Sequence, residues 1–393
     1  MDRQLGDRAL LERIAMYRHR RELPPIQPTL VRELAEWLTA HGADPLSYVC
    51  DLFDRHQVVF VGHHTPTRRV GLFLQDLVAA AFRCGVNIVA MEYACVDDQA
   101  RLDAVVTGPT FDEQLARESL LRWGIRHHFA YREYLDVLGA VWEVNRRFAG
   151  EKRPPMRVLG LDYDLDLDAV TDTADLRSSF AWPHLRSRGP VSAHMSEVLL
   201  REVIEPGHRA LVLTRTAHAM TRLRRLPHRV WDAFDAEVSG GHVVGAANRL
   251  YEVVADRAVT VLIHEPLPAD GELCDYAMVA DGVMDAAFAT NPDLAVPLAF
   301  DVDRGPTARL NCASSLDRQP LGALATGWIY LERDYERRAP TPLPEPVPAV
   351  HVEHARRYAL DPALRCERST ALDFAAAVSA SAAAAELAWT QVL

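Results

Sequence analysis

Lysine is almost missing from this chain: Lys152 is the only one, so nearly all of its 43 basic residues are arginine. That scarcity excludes two chemistries. A Schiff-base enzyme needs a lysine on a fixed element, and a Walker phosphate loop needs Gly-Lys-Ser/Thr. Lys152 lies in the polar run Gly150-Glu151-Lys152-Arg153-Pro154 and serves neither. The six cysteines, at 50, 84, 95, 274, 312 and 366, include no Cys-x-x-Cys pair, which reads as reduced thiols in a cytoplasmic protein. Gly-x-Ser-x-Gly, His-Glu-x-x-His and Gly-x-Gly-x-x-Gly are all absent, which counts against serine hydrolases, zincins and dinucleotide enzymes of those types. No run approaches the roughly 20 apolar residues of a spanning helix. Met1 to Arg21 has no apolar stretch of the secretory kind, so neither a signal peptide nor a membrane partner is expected. A net charge of -11 argues against a nucleic-acid partner, which would call for a concentrated basic face.

What the chain does have is a repeated pattern. The apolar run Val58-Val59-Phe60-Val61 leads directly into Gly62-His63-His64, and four more runs end on ionisable residues: Val86 to Met91 on Glu92, Arg157 to Leu161 on Asp162, Arg209 to Thr216 near His218, and Val259 to Ile263 on His264-Glu265. Short β-branched runs separated by helical stretches read as parallel strands, and ligands of such sheets gather beyond the strands' carboxyl ends. The expected fold is therefore α/β, a central, mainly parallel sheet flanked by helices. A helical N-terminal cap over 1–56 precedes an α/β domain over 57–338, which contains a helical excursion over 97–150. A Pro-rich linker over 339–349 and C-terminal helices over 350–393 follow. Helices are expected over Val70 to Cys84, Ser192 to Ile204 and the Arg-rich stretch Ala219 to Arg225, and a last strand over Gly327 to Leu331.

The candidate site follows from the strand ends. His63 and His64 are adjacent on an extended backbone, so they point to opposite sides and only one is expected to face the cleft. A histidine there suits a general base or a metal ligand. Glu92 closes an apolar run, so its carboxylate either emerges at the strand end or is buried with a partner, and a structural salt bridge to one of the many arginines is the alternative to a catalytic role. His218 sits at a strand-to-helix junction, suited to stabilising an oxyanion. Asp162 and Asp164 alternate on a strand continuation and offer oxygen ligands, although a helix cap or solvated loop is the favoured reading of Asp164, Asp166 and Asp168. His127, His128, Arg132, Tyr163 and His264 complete the set as substrate contacts; for His127 and His128 a polar helix face is an alternative.

The order of these motifs resembles the superfamily that joins erythromycin esterases, ChaN-like haem-associated proteins and Tiki proteases. The residues that carry the likeness are Val59-Phe60-Val61-Gly62-His63-His64-Thr65, Ala90-Met91-Glu92, Tyr131-Arg132-Glu133-Tyr134-Leu135, Leu159-Gly160-Leu161-Asp162, His194-Met195-Ser196-Glu197, Thr216-Ala217-His218 and Ala325-Thr326-Gly327-Trp328-Ile329-Tyr330-Leu331. Together they cover roughly residues 57–335. The chain departs from the pattern where His63 replaces the family's glutamate after Gly62, and where Val191 and Ser192 stand in place of an arginine.

What the resemblance implies is a hydrolase of an ester, lactone or amide bond in a natural product or peptide. In that reading His63 or His64 is the base, Glu92 its orienter, Asp162 a further member of the site, and His218 the group that polarises the carbonyl. Three alternatives stand beside it: a non-hydrolytic tailoring enzyme performing cyclisation or elimination, a metal-dependent protease with His64, Glu92, Asp162 and His218 as ligands, and a haem-binding protein. No cofactor is favoured, a divalent metal remains an option, and the partners expected are a small-molecule or peptide substrate and, through the C-terminal helices, a second copy of the chain.

Overall fold

Val58, Val59, Phe60 and Val61 are all fully buried because the strand they form is central, hydrogen-bonded on both edges and covered on both faces. The computed structural model describes residues 3–64, 67–120, 130–164, 188–222, 226–227, 238–239, 242–268, 276–313, 319–359 and 362–392. Its main sheet consists of β1 (Val58–His63), β2 (Ile88–Cys95), β3 (Arg157–Asp162), β4 (Ala210–Arg215), β5 (Ala258–Ile263), β6 (Leu298–Asp301) and β7 (Gly327–Tyr330). The seven strands lie in the order β6-β7-β5-β1-β4-β2-β3. Every neighbouring pair is parallel except β6 with β7. The chain is an α/β protein with a mainly parallel sheet, as the strand pattern implies. Sequence reading missed β6, whose four residues Leu-Ala-Phe-Asp are too few to show a period.

The two-residue period of a strand sorts the core into two halves. Val58 and Phe60 share one cluster with Ile88, Ala90, Ala210 and Val212, whereas Val59 and Val61 share the other with Val89, Met91, Leu211 and Leu213. Each fully buried aliphatic or aromatic side chain contributes about 1.5–3 kcal/mol. The described helices of seven or more residues are α1 (Arg3–Arg20), α2 (Pro28–His41), α3 (Pro45–Leu52), α4 (Arg68–Arg83), α5 (Gln99–Thr107), α6 (Glu113–Leu120), α7 (Arg132–Arg147), α8 (Val191–Leu199), α9 (Ala246–Val254), α10 (Val283–Thr290), α11 (Val352–Tyr358) and α12 (Ala371–Val392). Helices α2, α8, α9 and α10 cover the first half, and α3, α4, α5 and α7 cover the second.

The preface α1 to α3 packs on the sheet's β6 side. Ala43 bridges Ala299 of β6 and so closes an edge strand. Of the expected helix over Ala219 to Arg225, residues 223–225 lie outside the described residues; of the rest, Ala219 ends a short turn, Thr216–Ala219, and Met220 is already extended. The cause lies in Thr221, whose backbone N–H and hydroxyl both bond Thr260 Oγ1 on β5 at 3.0 and 2.9 Å and draw the chain along the sheet. The Pro-rich segment is docked rather than free. Pro342 bridges Tyr131, Thr341 N–H donates to both Glu133 oxygens at 3.0 and 2.9 Å, and Leu343 N–H donates to the Ala130 carbonyl. Val378 and Ala382 of α12 are buried in the second core half, and Tyr131 donates to Ser381 Oγ at 3.3 Å. No helix among the described residues is long and apolar enough to cross a membrane.

Candidate active site

Parallel register brings the ends of β1, β4 and β2 to one level. His63 pairs with Arg215, Gly62 with Thr214, and Met91 with Leu213, so Glu92, His63 and Arg215 finish side by side. A bulge then alters β2. Met91 still opposes Gly160, but Cys95 opposes Asp162, so four steps along β2 match two along β3. Bulges of this kind re-aim side chains at strand ends. Here Glu92 and Tyr93, adjacent in sequence, are both buried, at 4% and 1% exposure.

The Glu92 carboxylate is held at two points by one residue: Oε2 accepts from the Arg215 backbone N–H at 2.7 Å and Oε1 from Arg215 Nε at 2.6 Å. His218 Nε2 stands 3.9 Å from the same Oε1. His218 lies in the Thr216–Ala219 turn, which sits hard against β1. A Cβ on Gly62 would come within 2.6 Å of Ala219 Cβ, and one on Gly245 within 2.4 Å of the Ala217 carbonyl oxygen. Both glycines are thus required by the approach of the turn that delivers His218.

His63 is fully buried between two phenols, its Nε2 2.9 Å from Tyr93 Oη and 3.2 Å from Tyr134 Oη. The two phenol rings stack at 4.2 Å. Burial pushes the His63 imidazole down to about 3 against a smaller upward pull from Glu92, and pushes both phenols well above their ordinary value. All three rings are therefore neutral at pH 7, and His63 Nδ1 is buried with no hydrogen-bond partner among the described residues. His64, on the other side of the strand, is partly exposed. Burial, and then the charge of Arg215, lower its ring to about 4, while its backbone N–H bonds the Glu265 carboxylate.

The structure thus gathers His63, His64, Glu92 and His218. Asp162 belongs to a neighbouring group beyond β2: its Oδ1 accepts from Tyr163 N–H at 2.8 Å, and its charge acts on His194, whose ring packs edge-on against Tyr163 at 4.7 Å. The Tyr163 hydroxyl donates to the Gly189 carbonyl. Arg132 is directed elsewhere, to Glu113 at 3.0 Å and Asp136 at 2.8 Å on the helix surface. His264 lies in a closed network. Its Nδ1 accepts from the Trp328 indole at 3.2 Å and its Nε2 meets Asp285 Oδ1 at 3.0 Å. Because an indole only donates, Nδ1 is the acceptor and Nε2 carries the proton that faces Asp285. His127, His128, Asp166 and Asp168 lie outside the described residues. Sequence reading gave no site role to Arg215, Tyr93, Tyr134 or Glu265. Arg215 was signalled by its place at the end of β4, level with His63; Tyr134 comes from a helix more than 70 residues away and left no such signal.

The donor set does not fit the metal reading. Both Glu92 oxygens are engaged by Arg215, and no group of three His, Cys, Asp or Glu side chains among the described residues is placed to hold an ion.

Neither a family model nor a curated protein matches the sequence. Solved structures align with the chain at low identity. A succinoglycan biosynthesis protein aligns over 78% of this chain and 97% of its own, with a TM-score of 0.52 and 10% identity. A Bacillus cereus protein aligns over 78% and 98%, with a TM-score of 0.47 and 12% identity. An erythromycin esterase in its open conformation aligns over 72% and 92%, with a TM-score of 0.45 and 12% identity. The chain shares the architecture of the first of these from end to end of that protein.

Proposed function

We propose that the chain is an enzyme of histidine acid–base chemistry, in its simplest form a hydrolase of an ester, lactone or amide bond in a natural product or peptide. One observation carries this reading: His218 Nε2 lies 3.9 Å from a carboxylate that Arg215 fixes at both oxygens, at the carboxyl ends of adjacent parallel strands. The roles differ from those suggested by sequence. His63 and His64 are held too far below neutral pH to be strong bases, and Glu92 Oε1 lies 3.9 Å from His218 Nε2. His218 is therefore the base that takes a proton from water and returns it to the leaving group, with Glu92 stabilising the imidazolium. His64, neutral and partly exposed, donates a hydrogen bond to the carbonyl oxygen as negative charge develops there.

The test is a panel of chromogenic esters, lactones and short peptides. His218→Ala should lower kcat/KM by about 10² to 10⁴ on any substrate turned over, while His264→Phe retains it. Unchanged turnover by His218→Ala removes the assignment, and a silent panel removes the hydrolytic reading.

A further inference from the structure

A cavity of about 810 Å³ opens between α1, α2 and α10, and none of its lining residues belongs to the strand-end cluster. Helix spacing explains its shape. Leu11, Ile14, Ala15 and Arg18 recur three and four residues apart, forming one stripe of α1, and Val31, Arg32, Ala35 and Glu36 form the wall from α2 in the same way. Where packed helices interdigitate large side chains, these walls and the floor carry alanine, at positions 15, 35 and 286. The bottom is closed by apolar groups: Ile14, Ala35 and Ala286 are all buried.

The rim is charged. Arg18 spends its donors on carbonyl oxygens, Nε and Nη2 on Pro24 at 2.9 and 2.6 Å and Nη1 on Asp281 at 2.8 Å, so no carboxylate pairs with it among the described residues. Its guanidinium is pinned in place with its charge intact. Arg32 is exposed and has no hydrogen bond or ion pair among the described residues. His19 joins them. Arg18 and His19 end α1 and Arg32 is near the start of α2, so all three lie toward the connecting turn, whereas Glu36, the one acid of the lining, is a helical turn further along α2. One end is thus cationic and the rest mainly apolar, with Glu36, Thr290 and Asn291 as its remaining polar groups.

We propose that this cavity binds a single-chain amphiphile with a carboxylate head, of the size of a medium-chain fatty acid. The carboxylate sits at the turn between Arg18 and Arg32, and the chain runs over Ala286 and Ala35 toward Leu11. The volume lies within the roughly 300–1,000 Å³ of small-molecule pockets. The two guanidinium groups select an acid over an alcohol or an amine. The proposal does not depend on the acid–base reading of the strand ends.

Titration calorimetry of the full chain tests it with decanoate, decanol and decyltrimethylammonium. Decanoate should bind with a Kd of about 10–100 μM, decanol about tenfold more weakly, and the cation not at all. Arg32→Ala should weaken decanoate about tenfold and leave decanol unchanged. Ala35→Phe, which fills the floor, should abolish both; Ala15→Phe, on the outer wall, serves if the first variant does not fold. No binding of decanoate at about 1 mM overturns the proposal, as does equal affinity for decanol, or unaltered affinity in the filled variant. A dimer in sedimentation that buries the groove and excludes decanoate overturns it too.

Discussion

Two histidine clusters sit at neighbouring strand ends of one sheet, and they are built on opposite plans. Around His264 every ring nitrogen has an assigned partner. Trp328 donates to one, Asp285 accepts from the other, Tyr330 adds a hydroxyl to the same carboxylate at 3.0 Å, and Arg337 holds the His264 carbonyl at 3.0 Å. Burial pushes the Asp285 carboxyl up, but the His264 imidazole, Arg337 and the Tyr330 hydroxyl together hold it below its usual range. Around His63 the polar partners run out: Nε2 has two phenols and Nδ1 has none among the described residues. A satisfied buried network rigidifies, whereas an unsatisfied buried nitrogen calls for an explanation outside the packing. The difference teaches that a histidine at a strand end is read by its second nitrogen.

The comparison breaks most visibly at Arg215. Arg215→Met should leave Glu92 buried without its cation and cost about 3–5 kcal/mol in urea unfolding. A loss below about 1 kcal/mol would place the pair among weak surface bridges instead. The pH dependence comes next. The rings of His63 and His64 are lowered in the folded chain to about 3 and about 4, so the unfolded chain binds more protons between there and about 6.5. Their contribution is full above about pH 6.5 and is lost as the pH falls. Each should cost on the order of 1.4 kcal/mol per pH unit inside that window. His63→Phe should flatten the slope of the urea midpoint between pH 6 and about 4, and an unchanged slope would mean that His63 titrates normally. The smallest effect is at Tyr93: Tyr93→Phe removes one of two phenols on Nε2 and should cost about 1 kcal/mol, readable as a shift in Tm.

Much of this was legible in the sequence for a simple reason. A strand buried on both faces must be apolar throughout, so Val58 to Val61 and Val259 to Ile263 announce themselves, and the residues that end such runs stand at one level in a parallel sheet. His63, Glu92 and His218 were found in that way. What stayed hidden depends on residues distant in sequence. The two-residue slip of β2 against β3, which buries Glu92 and Tyr93 together, has no local signature. Nor does the indole that fixes the tautomer of His264, since Trp328 is 64 residues away. Arg215 escaped attention because arginine is this chain's common cation, so its place at the end of β4 did not stand out until Glu92 was seen to pair with it.

The strand order also bears on how the chain is made. β1 lies between β4 and β5, and its first hydrogen-bonded neighbour is synthesised roughly 150 residues later. At the usual pace of translation, about 5–20 residues per second, Val58-Val59-Phe60-Val61 emerges and then waits on the order of ten seconds or more for a strand to pair with. During that interval the most apolar, β-prone segment of the protein is an open edge. The ribosome-bound nascent chain should therefore recruit holdase chaperones between the emergence of β1 and that of β4.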